Sequence, residues 1–303
     1  MSRQDAFSAY DAVLAEAAPN DPWAHTRGDE PRYLPDFGLL GNLLSIPVRG
    51  NEASESGRFA KGIDAWLAHE LRRCGFDGDE VWPRATRPRV LPREISMLLS
   101  KLPRALADDL RRRLPQISAV GPADAKVLGR AYYKQVDVCI SRWDRGPELL
   151  ISTKAQLSSF GKNLPNRFEE AYGDAANLRG RYPLAAVGFF FVQRATILAE
   201  EPDAYERTVD MIRKLRGLGE ANGYTATGLA LVDWTTDSPD GAVVKVDTDA
   251  VPPDIGPAQF LATMVEHVLA VTPVVHHVAV RSRLERRGIP VAEEEPDSPE
   301  AGS

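Results

Sequence analysis

Hydrophobic and polar positions change period several times along this chain, and each change marks an element. Residues 5–18 place Phe7, Tyr10, Val13, Leu14 and Ala17 at helical spacing, predicting a short helix. Pro19–Pro35 is a polar, proline-bearing connector in which Trp23 is expected to pack, and Phe37–Val48 is apolar enough for a loop with a short helix or strand. After a loop at Gly50–Gly57, where Ser54 or Ser56 is a candidate cap, Phe59–Cys74 repeats Phe59, Ile63, Trp66, Leu67, Glu70 and Leu71 at intervals of three and four. That stripe predicts an amphipathic helix, stopped by Gly75-Phe76-Asp77-Gly78. Trp82–Pro92 holds three prolines among arginines and reads as extended. Arg93–Leu114 returns to helical period, broken near Pro103.

The period then drops to two. Tyr132–Ser141 and Glu148–Gln156 are rich in apolar and β-branched residues and flank Arg142–Pro147, where Asp144 and Gly146 supply turn chemistry. This is a β-hairpin by pattern. A two-residue loop puts Asp137 opposite Ser152 or Lys154, with all three on one face; a three-residue loop parts them. Asn166–Arg179 follows as a helix with Phe168, Ala171, Tyr172, Ala175 and Leu178 on its apolar stripe. Asn166 as N-cap would place Glu169 three residues on, in a capping box, leaving Glu170 without that competing role. Leu184–Val192 and Tyr224–Trp234 are continuous apolar runs and predict buried strands. Pro202–Asn222 and Pro257–Val271 predict helices, and Ala242–Val246 an edge strand. The alternation predicts an α/β fold, a mixed central β-sheet flanked by helices, with residues 83–122 as a helical insertion. Residues 1–285 form one domain in this reading, and 286–303 a disordered acidic tail.

Asp137 followed by Ser152-Thr153-Lys154 on the next strand resembles the core of the PD-(D/E)xK, or restriction endonuclease-like, nuclease superfamily. The resemblance covers roughly residues 126–195, and 126–235 would be the catalytic core. In that family an Asp opens one strand and a Glu/Asp-x-Lys closes its neighbour; the carboxylates hold magnesium and the lysine orients the attacking water. Ser152 stands where the second carboxylate is expected. The resemblance then implies a variant in which the following helix supplies the acid, with Glu169 and Glu170 as candidates. The preceding helix sometimes lends a glutamate as well; Glu55 and Glu70 are the candidates there, but a solvent-exposed role is the expectation for each. Ser152 would hydrogen-bond a metal-bound water or take no part. The run with Ser159-Phe160, Lys162-Asn163 and Asn166-Arg167 also resembles bacterial proteins of restriction or defence type. The resemblance therefore implies a Mg²⁺-dependent DNA endonuclease, with Mn²⁺ as substitute, acting as a homodimer beside a cognate methyltransferase or other defence component.

Composition narrows the alternatives. At 303 residues, 43% hydrophobic and 26% charged, the chain is of ordinary globular type. No run of eighteen apolar residues and no signal pattern is present, so no membrane is expected and the cytoplasm is the expected compartment. Cys74 and Cys139 build neither a zinc site nor a disulfide framework, and Cys139 is expected as a small buried hydrophobe. The net charge of −6 is uneven: Glu293, Glu294, Glu295, Asp297 and Glu300 carry −5 of it, while Arg84–Arg130 holds eleven Lys/Arg against four acids. Arg111, Arg112, Arg113, Lys162, Arg167 and Gln156 are candidate contacts to nucleic acid, against the alternative of a solvated helix face. Gly-x-Ser-x-Gly, Walker and dinucleotide patterns are absent, and His276-His277 lacks partners for a metal site. Two other readings stay open: a non-catalytic module of the same fold, and an unrelated α/β protein.

Overall fold

The computed structural model describes residues 5–50, 57–162, 164–216, 223–235 and 241–290. Six strands build the main sheet: β1 (Val81–Trp82), β2 (Val138–Arg142), β3 (Gly146–Gln156), β4 (Ala186–Arg194), β5 (Ala226–Asp233) and β6 (Lys245–Asp247). They lie in the order β6-β5-β4-β3-β2-β1. The central pairs β3/β4 and β4/β5 are parallel, and the outer pairs are antiparallel. A mixed sheet flanked by helices is thus the architecture, as the alternation of periods predicts.

Both faces of the sheet are covered, which is why its central strands read as unbroken apolar runs. Helices α1 (Phe37–Arg49), α2 (Arg58–Cys74) and α5 (Pro257–Val271) pack on one face, where they meet Val138, Ile140, Leu149, Ile151, Ala186, Phe190 and Val192. Helices α3 (Leu164–Arg179) and α4 (Pro202–Leu215) are the crossovers into β4 and β5. They pack on the other face against Cys139, Leu150, Val187, Phe189 and Phe191. Two glycines let α5 approach: a Cβ on Gly228 would stand 2.9 Å from Phe260 Cγ and 2.6 Å from Phe190 Cδ2, and one on Gly188 2.9 Å from Phe260 Cζ.

Several boundaries differ from expectation, each for a local reason. Residues 37–49 form a full helix because Asp36 caps it, accepting from the Leu39 N–H at 2.8 Å. The first helix is a 3₁₀ turn, Ser8–Tyr10, running into Asp11–Glu16. The edge strand is Lys245–Asp247, within a residue of its predicted end. Helix α4 ends at Leu215 as Arg216 bridges to Tyr224; residues 217–222, the rest of the predicted helix, lie outside the described residues. Helices Arg93–Lys101 and Arg104–Arg113 pack on their own small cluster of Leu91, Leu99 and Leu114. Trp23 packs edge-on against Tyr33 at 5.1 Å, and Cys139 is fully buried. Ser54, Ser56 and the acidic residues from Glu293 onward lie outside the described residues. Among the described residues, no helix is long and apolar enough to cross a membrane.

Candidate active site

Asp137 sits where the chain changes sheets. Tyr133–Val136 pairs with Ala125–Leu128 in a two-stranded ribbon, whereas Val138 onward joins the main sheet. The single strand predicted over 132–141 is therefore two strands broken at Asp137. Its N–H still donates to the Ile151 carbonyl at 3.0 Å, so the residue keeps its place in the ladder while its side chain stands at the open end.

The register is set by two irregularities that cancel. Arg142 pairs with Gly146, so the hairpin loop is the three residues Trp143–Arg145, a length that alone would part Asp137 from Ser152. Ile140 then pairs with Leu149 while Ser141 pairs with Pro147, leaving Glu148 as a one-residue bulge. Continuing Val138↔Ile151 by one step returns Asp137 to a position opposite Ser152. The bulge is anchored from the side: Glu148 accepts from Arg145 Nε at 3.0 Å and contacts His277 Nε2 at 3.2 Å, and Arg145 also donates to buried Glu80 at 2.7 Å. His277 thus finds its partner in the bulge.

Thr153 joins two carboxylates. Its backbone N–H donates to Asp137 Oδ2 at 2.9 Å, and its hydroxyl donates to Asp64 Oδ1 at 2.6 Å from the opposite face of the strand. Asp64 is fully buried on α2. Lys61, one helical turn earlier, donates to Asp64 Oδ2 at 2.9 Å and stands 4.0 Å from Asp137 Oδ1. The Phe7 ring covers the ammonium, with its centroid at 5.1 Å. Phe7, Lys61 and Asp137 line a pocket shared with Arg89, Asp124 and Val136.

Neither Asp64 nor Lys61 is among the sequence candidates. The signal was present: Asp64 is the one charge in the apolar run Gly62–Ala68. The solvent-exposed role expected of Glu70 is corrected. Glu70 is neither exposed nor at the site; it is buried, accepting from Arg73 at 2.8 and 2.7 Å, Tyr33 Oη at 2.9 Å and the Asp36 N–H at 3.1 Å. Glu55 lies outside the described residues.

The charges interact strongly. Burial, and then the Asp64 charge, push the Asp137 carboxyl up to about 7, against the Thr153 N–H, Lys61 and Lys154. Burial pushes Asp64 up too, with Lys61 and the Thr153 hydroxyl offsetting only part. For Lys61, burial works against the ammonium, but Asp64 and then Asp137 outweigh it and leave its pKa raised.

Lys154 lies on the α3 side. Its Nζ is 3.3 Å from Glu170 Oε1, which is also 3.7 Å from Lys134. Burial alone would raise Glu170, but Lys154 and then Lys134 hold it below the ordinary carboxylate range. Lys134 is shared with buried Asp174. Of the two helix glutamates, Glu170 is thus brought to the lysine, whereas Glu169 is exposed and takes no part in this cluster. The capping box also dissolves: α3 begins at Leu164, two residues before Asn166. Ser152 is buried opposite Asp137. Gln156 is buried as well, donating to the Ser159 and Phe160 carbonyls and accepting from Gln193, so its amide holds the loop after β3. Lys162 is exposed and Arg167 half-buried. Arg111, Arg112 and Arg113 are exposed but paired with Asp108 and Asp109 on their own helix.

A magnesium or manganese ion would find Asp137 as its carboxylate donor here. Asp137 Oδ1 makes no hydrogen bond among the described residues, and its side chain is 23% exposed. Among those residues no group of three or more His, Cys, Asp or Glu side chains could hold a metal ion. Comparison with protein-family models, curated proteins and solved structures finds no match for this chain.

Proposed function

We propose that this chain is a magnesium-dependent DNA endonuclease of restriction endonuclease-like type, working in the cytoplasm in restriction or anti-phage defence. The observation that carries the reading is the register: the Glu148 bulge returns Asp137 to the Ser152-Thr153-Lys154 segment despite a three-residue loop. That segment lies near the carboxyl end of a strand in a parallel pairing, where open α/β sheets bind ligands. Carboxylates moved toward neutrality by burial and like charge cluster at functional sites, and Asp137 is one such group.

A bound Mg²⁺ or Mn²⁺ supplies an activated water and compensates charge on the phosphate. Asp137 Oδ1 offers it a ligand while Thr153 fixes Oδ2. Lys154, with 31% of its side chain exposed, presents an ammonium to the attacking water and the phosphate, and Glu170 holds it in place. Arg111, Arg112 and Arg113 are available to phosphates because exposed pairs such as theirs are worth little and exchange readily. One site per chain makes a homodimer the simplest route to double-strand cleavage, and a methyltransferase or other defence component is the corresponding partner.

A second reading has its own support. Ser152 leaves that position without a carboxylate, and Glu170 is engaged by two lysines, as a non-catalytic module binding nucleic acid would tolerate. Supercoiled plasmid incubated with Mg²⁺ or Mn²⁺, with a chelator arm, separates the two. Metal-dependent nicking supports the nuclease; salt-sensitive DNA binding without nicking supports the module.

A further inference from the structure

We infer that the ribbon of Ala125–Leu128 and Tyr133–Val136 is a platform for unpaired DNA, with Tyr133 stacking on a base and Lys126 meeting the backbone. The inference rests on the nuclease reading for its choice of DNA. It names the form of substrate that suits the site, a duplex carrying an unpaired stretch.

The register sorts the ribbon's side chains onto two faces. Ala125 pairs with Val136 and Val127 with Lys134, whereas Lys126 pairs with Gln135 and Leu128 with Tyr133. Residues directly opposite share a face. The first face is packed: Ala125, Val136 and Val127 join the core cluster that holds the apolar stripe of α3, and Lys134 reaches buried Asp174 on that helix. Tyr132, just before the strand, is held there too, its hydroxyl donating to Asp174 Oδ1 at 3.4 Å. The second face is open. Lys126 and Gln135 are exposed, and Tyr133 is 70% exposed. No acid stands on this face of the two strands, so its charge is that of Lys126 and complements a phosphate. A ring beside an ammonium is the combination that binds single strands. The ring takes the flat face of any base, a face that stacking hides in a duplex, and the ammonium takes the backbone. The ribbon also runs directly into the candidate site, since Tyr133 precedes Asp137 by four residues, at most about 13 Å along an extended strand. An unpaired base held on Tyr133 therefore lies beside the scissile position that Asp137 and Lys154 would serve.

The test titrates the full-length chain, with chelator present, against one labelled DNA duplex prepared either blunt or with a single-stranded thymidine overhang, read by fluorescence anisotropy. Wild type is expected to bind the overhang form about 5- to 150-fold more tightly, the worth of one base stacked on one ring. Tyr133→Ala should remove that excess and leave affinity for the blunt duplex unchanged, whereas Tyr133→Phe, which keeps the ring, should retain it. Lys126→Ala should flatten the slope of log affinity against log salt by about 0.7 on the overhang form. Equal affinity of wild type for the two duplexes, an excess that survives Tyr133→Ala, or an unchanged slope in Lys126→Ala overturns the inference, and the nuclease reading still stands if plasmid is nicked with Mg²⁺ or Mn²⁺. No binding of either duplex overturns the inference as well, and no nicking beside it overturns both.

Discussion

The proton affinity of Asp137 is the quantity that sets this site apart among its residues. An aspartate ordinarily titrates near 3.9, whereas here burial and the neighbouring Asp64 move it to about 7. The folded protein then binds a proton that the unfolded chain has already lost. Stability should fall as pH rises from about 4 to about 7, and stay level above that. In metal-free protein Asp137→Asn removes the cost and keeps an oxygen for the Thr153 N–H. Denaturant unfolding should show it stabilising by roughly 1–3 kcal/mol at pH 8, the gain fading toward pH 4. A gain independent of pH would assign it to packing instead. Lys154→Ala should leave the melting temperature nearly unchanged, because its pair with Glu170 is partly exposed. It should lower metal-dependent cleavage by about 10²–10⁴-fold in a single-turnover assay. Asp137 and Lys154 are legible in the sequence because a polar residue at a fixed parity in an apolar strand calls for a reason. Asp64 is harder to read: its partner Thr153 is 89 residues away, and only packing brings them together.

Elements were legible where burial dictates the pattern and less so where a cap or bulge decides. Helix α5 and strands β4 and β5 are cut from long, unambiguous runs, and their boundaries fall within about two residues of the periodicity, as such runs allow. The start of α3 was misplaced because Asn166 looks like a cap, yet Leu164 and Phe168 both face the core and draw the helix back a half-turn. The bulge at Glu148 could not be read, since its anchor, His277, lies 129 residues on. An odd loop and a one-residue bulge each change parity, so a simple two-residue hairpin gives the same facing of Asp137 and Ser152 for a different reason. The close approach of α5 to β5 makes a separate prediction. Gly228→Ala sets a methyl against Phe190 and Phe260, and should destabilise by about 1–3 kcal/mol in urea unfolding. The same change at Gly78, with open space around it, should not.

Charge is the property to consider for the whole molecule. The net −6 falls to about −1 without the five acids from Glu293 to Glu300. Many arginines of the basic stretch are spent internally: Arg84 binds Asp79, and Arg89 binds Asp5 and Asp11. The exposed guanidiniums at the end of Arg104–Arg113 remain. If they meet phosphates, changing Arg111, Arg112 and Arg113 together to Ala should flatten the slope of log affinity against log salt by about 2–3 in duplex DNA binding. An unchanged slope would place the DNA elsewhere. The central claim, that Asp137 and Lys154 form a metal-dependent nuclease site, is tested most directly by plasmid cleavage with Mg²⁺ or Mn²⁺ in wild type, Asp137→Ala and Lys154→Ala. Cutting by wild type that is abolished by chelator and lost in both variants is the predicted result. Cutting that survives both substitutions, or no cutting with either metal, would contradict it.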